Sequence, residues 1–306
     1  MILIAAPGQG SQTPGFLAPW LELDGVRETL GELGEAAGID LIEHGTNSDA
    51  ETIKDTRVAQ PLIVAAGIVA YDALVQQAQQ FGKATAGHSV GELTAMYVAG
   101  ILSREDAMKL VGIRGRAMAE AAALTPTGMA AVIGADPEEL EAKLEELGLS
   151  AANYNGGGQI VVAGDREALE SFAADAPAKS RVIALQTAGA FHTHFMEPAV
   201  DALREAAGEL DVDNPQIPIY SNHHGAKVET GHEFVDLVVG QVASPVRWDK
   251  SMETFVEDGI TGMIELAPAG ALTGLAKRGM RGTPVAALKT PDDLQAAADL
   301  LQGDTE

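Results

Sequence analysis

The sequence contains no cysteine at all. This absence excludes thiol nucleophiles, disulfide bonds and thiolate metal ligands, and it predicts a cytoplasmic protein. Basic residues are also scarce, because 20 Lys and Arg stand against 44 Asp and Glu, which gives a formal net charge of −24. Binding to nucleic acid requires clustered basic side chains, so no nucleic-acid partner is expected. No apolar run reaches membrane-spanning length in the sequence pattern, so no membrane association is expected either.

Strand and helix patterns alternate along most of the 306 residues, which predicts a mostly parallel sheet covered by helices on both faces. The first strand is predicted at Ile2–Ala6; the N-terminus has no basic segment typical of a signal peptide. Between residues 129 and 185 the order changes to βαββαβ, which is that of a ferredoxin-like unit. We therefore expect an α/β core in residues 1–126 and 190–306 and a ferredoxin-like insertion in residues 127–189.

Residues 87–91 read Gly-His-Ser-Val-Gly and lie between a predicted strand and a predicted helix. Glycines on either side of Ser89 permit the sharp strand-to-helix turn of a nucleophile elbow, which holds a serine at the carboxyl end of a sheet. The alternative is that Ser89 is an ordinary helix N-cap. The glycine-rich loop after the first strand is predicted at the same sheet edge, where it can offer a backbone N–H group. Its spacing does not fit a dinucleotide-binding motif.

One arginine lies within an apolar helix face. Arg114 shares that face with Ala107, Leu110, Val111 and Met118 on a helix predicted to start at Ser103. A guanidinium on a buried face is costly unless an anion meets it. Two interpretations are open at this point, a structural ion pair or an anionic substrate.

A serine nucleophile needs a base, usually a histidine, and the sequence has seven histidines. His192 and His194 follow a tract of small residues at the return from the predicted insertion, and the pattern modestly favours these two. Their spacing also suits a metal pair, but no nearby carboxylate completes such a site.

Three separated segments resemble one family. They are residues 8–12 (Gly-Gln-Gly-Ser-Gln), 87–92 (Gly-His-Ser-Val-Gly-Glu) and 189–193 (Gly-Ala-Phe-His-Thr). Together they look like the malonyl-CoA:acyl carrier protein transacylases of fatty-acid synthesis and the acyltransferase domains of polyketide synthases. Further matches extend the resemblance from about residue 4 to residue 278. The resemblance implies an α/β-hydrolase-like core with a ferredoxin-like insertion.

The resemblance also implies catalytic roles. Ser89 would be the nucleophile and His192 its base. The backbone N–H groups of Gln9 and Val90 would form the oxyanion hole, and the backbone carbonyl of Arg247 would orient the histidine. His194 is a second histidine near the base position, so the choice of His192 depends on the Ala-Phe-His alignment.

The substrate site is implied in the same way. Arg114 would bind the free carboxylate of a malonyl group as a bidentate pair. Phe191 resembles the malonyl-selective version of its segment, where methylmalonyl-selective relatives have serine. The residues expected to line the site are Gln60, Met118, Asn155 and Phe191.

The expected function is a two-step transfer of a malonyl group from malonyl-CoA, through a seryl ester, to the phosphopantetheine thiol of an acyl carrier protein in fatty-acid or polyketide synthesis. The coenzyme A thioester is the donor substrate, no bound cofactor or metal is expected, and a monomer suffices. Such carriers are acidic, as is this chain, so docking predicts a local basic patch. Its candidates are Lys277, Arg278, Arg281, Arg247 and Lys250.

Two other functions remain open from the sequence. One is a serine hydrolase built on the same elbow, although no His-Gly-Gly-Gly segment and no clear acid-then-histidine order follow the pattern of those enzymes. The other is a catalytically silent module that docks acyl carriers.

Overall fold

The computed structural model of the protein describes residues 1–303, which contain nine strands and twelve α-helices. The strands are β1 (Ile2–Ala6), β2 (Ala84–Gly87), β3 (Thr127–Ile133), β4 (Ser150–Gly156), β5 (Gln159–Asp165), β6 (Arg181–Leu185), β7 (Ile219–Tyr220), β8 (Gly262–Glu265) and β9 (Val285–Ala287). The helices are α1 (Val26–Ala37), α2 (Leu41–Thr46), α3 (Thr56–Ala78), α4 (Gly91–Val98), α5 (Arg104–Ala122), α6 (Pro137–Leu147), α7 (Arg166–Ala174), α8 (Glu197–Ala207), α9 (Gly231–Gln241), α10 (Trp248–Glu257), α11 (Ala271–Gly279) and α12 (Leu294–Gln302).

The central sheet has five parallel strands in the order β7-β2-β1-β8-β9. All five residues of β1 are buried, as expected for a strand covered on both faces. β2 runs beside β1, and the chain turns at its carboxyl end into α4. The prediction of an α/β fold with a mostly parallel sheet is therefore confirmed.

The two glycines of the turn between β2 and α4 are required by close packing. A Cβ atom added at Gly87 would lie 2.0 Å from the backbone carbon of Gly91, and one added at Gly91 would lie 2.2 Å from the backbone oxygen of Ala6. Real Cβ atoms do not approach backbone atoms this closely, so any side chain would push α4 away from β1.

We expect Gly91→Ala to lower the free energy of unfolding by about 3 kcal/mol, because the new methyl group has only backbone to displace. Gly31→Ala is the matched control, since Gly31 lies within α1 with nothing within 4 Å of an added Cβ, and it should stabilise the helix slightly. Urea denaturation of both variants checks this. Equal stability of the two variants would contradict the packing argument.

A second, antiparallel sheet has the strand order β4-β5-β3-β6. Together with α6 and α7 it has the predicted βαββαβ order. One face of this sheet packs on the two helices around Val132, Val162 and Phe172, and the other contributes Met129 and Val161 to the main core. The domain boundaries at 126/127 and 189/190 stay a prediction.

Helix α3 corrects one expectation from the sequence. Its 23 residues are long and apolar enough to cross a membrane by length and composition, but 78% of the most apolar window is buried within the protein. The helix contacts α5, α4 and α12 and forms the centre of the main core. Its apolar length is therefore explained by burial inside the protein.

Candidate active site

Ser89 lies at the apex of the turn between β2 and α4. Its φ angle is 53°, in the left-handed region that a serine adopts only when its surroundings impose it. The Asn222 side chain holds the turn, because its Oδ1 accepts the Ser89 N–H at 2.8 Å and its Nδ2 donates to the Gly87 carbonyl at 2.7 Å. The strained turn is thus fixed by a side chain 133 residues away.

The His192 imidazole is the base nearest to this serine, with its Nε2 2.7 Å from the Ser89 Oγ. Its Nδ1 lies 2.9 Å from the backbone carbonyl of Gln241. A carbonyl can only accept, so Nδ1 carries the proton and Nε2 is left with a lone pair for the serine hydroxyl. The expectation that Arg247 supplies this carbonyl was wrong. The Arg247 carbonyl instead accepts the Ser251 N–H at 3.1 Å in the first turn of α10.

Burial, followed by the nearby charge of Arg114, lowers the pKa of His192 to about 3. The hydrogen bond to the Gln241 carbonyl acts in the opposite direction and does not offset these two effects. At neutral pH the imidazole is therefore uncharged and able to accept a proton.

We expect the rate of Ser89 acylation to stay constant within about twofold when the pH falls from 7 to 5. A histidine with the ordinary pKa of about 6.5 would lose about 30-fold of its neutral form at pH 5, whereas His192 stays unprotonated. Quenched-flow mass spectrometry of the acyl-enzyme measures the rate, and circular dichroism at each pH confirms that the fold is intact. A tenfold loss for each pH unit below 6.5 would contradict the lowered pKa.

The Arg114 side chain is buried beside the serine. Its two terminal nitrogens donate to the Oε1 atoms of Gln60 at 2.8 Å and Gln241 at 2.9 Å, and one lies 3.4 Å from the Ser89 Oγ. Its Nε has no hydrogen-bond partner, and no carboxylate of residues 1–303 forms an ion pair with it. Burial lowers its pKa to about 10, so it remains charged at neutral pH. The structural ion pair is thus excluded within the described chain, and this buried cation has only neutral partners.

The loop after β1 packs directly against the elbow, since a Cβ atom added at Gly8 would lie 2.9 Å from the His88 carbonyl. The Gln9 side chain is held by the Lys54 carbonyl at 3.3 Å and the Thr56 hydroxyl at 3.4 Å. Within the described residues, neither the Gln9 nor the Val90 backbone N–H donates a hydrogen bond. Both residues line the cavity next to Ser89 and have N–H groups available to a ligand.

A cavity of about 610 Å³ opens over Ser89 and His192, between the two sheets and α11. The four residues predicted to line a substrate site all line it: Gln60, Met118, Asn155 and Phe191. His88 holds Asn155 in place through a 2.9 Å hydrogen bond from ring to amide. Arg114 does not line the cavity itself, but it contacts Ser89 and Gln60, two residues that do.

The basic candidates for a docking surface separate into two groups. Arg278 lines the cavity entrance against Gly157, and Lys277 and Arg281 are exposed nearby. Lys250 instead forms an ion pair with Glu253 at 2.7 Å, and Arg247 pairs with Asp249, so both charges are locally balanced. His194 stacks on Phe195, and no cluster of three potential metal ligands occurs in residues 1–303.

Three residues next to the site were not found from the sequence. Asn222 and Gln241 carry ordinary amide side chains on unremarkable segments, and nothing in the pattern distinguishes them. Glu92 was part of the quoted Gly-His-Ser-Val-Gly-Glu segment, but its position on the helix gave it no role. It is fully buried, and burial raises its pKa above the ordinary value, while hydrogen bonds from Asn222 and Gln241 and the charge of Arg114 act in the opposite direction.

A parallel sheet that presents a serine on a strand-to-helix turn, within hydrogen-bond distance of a histidine, defines the class of serine-dependent acyl-transfer and hydrolytic enzymes. The model of the family described as "Acyl transferase domain" matches residues 6–295. A malonyl CoA-acyl carrier protein transacylase of Mycobacterium tuberculosis is 47% identical over 302 residues, which cover 98% of this chain and 100% of the relative. The chain belongs to the acyltransferase family and, within it, to the malonyl CoA-acyl carrier protein transacylases.

Solved structures agree with this assignment. The crystal structure of MCAT from Mycobacterium tuberculosis superposes with a TM-score of 0.95 at 46% identity, over 97% of this chain and 99% of that one. A malonyl-transacylase solved in complex with its type II PKS acyl-carrier protein superposes with a TM-score of 0.91 at 30% identity, over 98% of this chain and 99% of that one. The predicted family and the prediction of an acyltransferase enzyme are confirmed.

Proposed function

We propose that the protein transfers a malonyl group from malonyl-CoA to the phosphopantetheine thiol of an acyl carrier protein, through an ester on Ser89. The proposal is based on one observation. The Ser89 Oγ lies 2.7 Å from the His192 Nε2 and 3.4 Å from a buried guanidinium that has no carboxylate partner in the described chain. A base and a guanidinium without a carboxylate partner therefore lie beside the same hydroxyl, an arrangement that suits an acyl group with its own carboxylate.

In the first step His192 accepts the hydroxyl proton at Nε2 while the Ser89 Oγ attacks the thioester carbonyl. The oxyanion takes the backbone N–H groups of Gln9 and Val90 as donors, and one such donor is worth about 3 kcal/mol of the barrier. The carbon–sulfur bond breaks, and the leaving thiolate of coenzyme A takes the proton from His192. The product is malonyl-Ser89 and free coenzyme A.

In the second step the carrier thiol gives its proton to His192 and attacks the ester carbonyl. The Ser89 oxygen leaves and recovers the proton from the Nε2 atom, so each step returns the site to its starting protonation. Arg114 holds the malonyl carboxylate throughout, as a bidentate partner that fixes the carbonyl beside the nucleophile. An acyl group without a carboxylate leaves this cation with neutral partners only, which favours malonyl over acetyl donors.

The carrier is expected to dock where the cavity opens, beside Arg278, Lys277 and Arg281. These three charges lie on or next to α11 and form no ion pair within residues 1–303, whereas Lys250 and Arg247 are paired. The solved complex of a relative with its carrier supports a carrier as the partner. We further propose that the protein acts as a monomer in the cytoplasm and requires no bound cofactor.

Incubation of the protein with malonyl-CoA, followed by intact mass and peptide analysis, tests the proposal. We expect the mass gain of one malonyl group on Ser89, and loss of that group when a carrier bearing the phosphopantetheine arm is added. The same carrier without the arm is the control and should leave the adduct in place. Rapid loss to water alone would instead indicate a hydrolase, and absence of any adduct would indicate a silent docking module.

A further inference from the structure

A buried carboxyl group lies two hydrogen bonds behind the proposed substrate cation. Glu92 is in the first turn of α4 and is 0% exposed. Its Oε1 accepts the backbone N–H of Asn222 at 2.6 Å, and its Oε2 accepts the Gln241 Nε2 at 2.5 Å. No basic side chain touches it within residues 1–303, although a buried carboxylate ordinarily needs such a partner. The proposed mechanism gives this residue no task.

The Gln241 amide connects Glu92 to Arg114. Its Nε2 donates to Glu92, and its Oε1 accepts from the Arg114 guanidinium at 2.9 Å. Both Glu92 oxygens act as acceptors in the structure, and a guanidinium offers only donors. The amide can therefore satisfy both neighbours in a single orientation. If it were reversed, its NH₂ group would face the guanidinium and its oxygen would face the carboxylate.

We propose that Glu92 is a positioning residue that fixes the orientation of the Gln241 amide and thereby sets Arg114 to receive a carboxylate-bearing acyl group. The inference rests on the proposed function, because it assigns Glu92 a part in selecting the malonyl group. Glu92 itself does not touch the reacting atoms. It acts through Gln241, two hydrogen bonds from the guanidinium that binds the substrate.

The same contacts predict that a substitution of Glu92 affects mainly the selection between acyl donors. The elbow is held by the Asn222 side chain, which bonds the Ser89 N–H at 2.8 Å and the Gly87 carbonyl at 2.7 Å. The Gln241 Nε2 adds only a longer bond to the Asn222 Oδ1, at 3.2 Å, and Glu92 contacts Asn222 at its backbone N–H alone. The His192 Nδ1 is held by the Gln241 backbone carbonyl, which does not move when the amide of that residue turns. A change at Glu92 should therefore affect the guanidinium more than the serine or its base.

The test is Glu92→Gln, which preserves shape but offers an NH₂ group that can compete with the donors of Gln241 or Asn222. Ser89 acylation is measured with malonyl-CoA and with acetyl-CoA, and kcat and KM are determined for each. We expect the ratio of the two kcat/KM values, malonyl over acetyl, to fall at least tenfold, with a rise in the malonyl KM and little change for acetyl. Equal losses for both donors, or an unchanged ratio, would overturn the inference.

Two further variants make the result specific. Asp72→Asn changes a partly buried carboxyl away from the cavity, which accepts the Tyr97 hydroxyl at 2.6 Å and lies 3.6 Å from the Arg104 guanidinium, and it should leave the ratio unchanged. Gln241→Met removes the amide itself and should lower the ratio as much as Glu92→Gln, with no further loss in the double variant. If Glu92→Gln does not fold, the test depends on Gln241→Met. An unchanged ratio of malonyl to acetyl kcat/KM in that variant overturns the inference.

The wild-type protein separates the two proposals. If it gains no malonyl group on Ser89, the proposed function fails. If it is malonylated but Glu92→Gln and Gln241→Met retain the wild-type selectivity, only the role of Glu92 fails.

Discussion

Replacement of Ser89 by alanine is expected to abolish the malonyl adduct and to lower carrier malonylation by about 10⁵- to 10⁶-fold, because the covalent route is lost entirely. His192→Ala should cost nearly as much, since the hydroxyl then has no base at 2.7 Å. The two residues act as one unit, so the double variant should be no worse than either single variant. Intact mass spectrometry measures the adduct, and a radiolabelled donor measures the residual transfer.

His194→Ala is the matched control for the base. His194 lies two residues beyond His192 but stacks on Phe195 and makes no hydrogen bond to Ser89. Its loss should change transfer less than about twofold, as expected for a surface substitution away from the site. Substantial transfer by Ser89→Ala, or a larger loss in His194→Ala than in His192→Ala, would contradict the assignment of nucleophile and base.

Arg114→Ala is expected to lower kcat/KM for malonyl-CoA by about 10³-fold, because a buried charge pair with the substrate carboxylate is worth about 4 kcal/mol. The loss for acetyl-CoA should be within about tenfold, because that donor has no carboxylate to bind. Arg114→Lys keeps the charge but has no planar fork to reach both Gln60 and Gln241, so its loss should be intermediate. Steady-state kinetics with both donors gives the two ratios.

Arg116→Ala is the control for this arginine, since it removes an exposed guanidinium from the same helix. Within residues 1–303 this guanidinium donates only to the Ala37 carbonyl, at 3.1 Å, so its loss should leave transfer from both donors nearly unaffected. Equal losses for malonyl and acetyl in Arg114→Ala would mean that the guanidinium has a structural role and does not select the carboxylate.

The elbow could be predicted because its cause is local. Gly87 and Gly91 are adjacent to Ser89, and the strand and helix that they join are recognisable from their own residues. The orienting carbonyl of His192 could not be predicted in this way. A backbone carbonyl has no identity in the sequence, and the one that is used belongs to Gln241, 49 residues further along. The family pattern pointed instead to Arg247, which lies on the next segment of the chain.

Four helices were not predicted, namely α1, α2, α8 and α11. Glycines interrupt the apolar pattern of α1, where Gly34 is nevertheless required because an added Cβ would lie 2.7 Å from the Ile39 carbonyl. Helix α11 begins where the buried Glu265 side chain accepts the N–H groups of Leu272 and Thr273, each at 2.8 Å. These helices are stabilised by tertiary contacts with residues elsewhere in the chain, and such contacts cannot be read from the local sequence.

The two interpretations of Arg114 were separated only by its neighbours in space. The sequence offered 44 carboxylates as ion-pair partners and no means of choosing among them. The structure places two neutral amide oxygens there instead. Gln60 precedes a proline in the first two turns of α3, and Gln241 is the last residue of α9, so neither position would be matched to an arginine on α5 from periodicity alone.

The position of Gln241 at the end of α9 has a consequence for the charge that His192 carries during each proton transfer. The last carbonyls of a helix have no partner within it and form the negative end of the helix dipole, which stabilises a neighbouring cation by about 0.3–2 kcal/mol. His192 donates to this terminus instead of to an aspartate. A helix terminus cannot be protonated, so the imidazolium keeps this electrostatic support in acid, where a carboxylate would lose its charge.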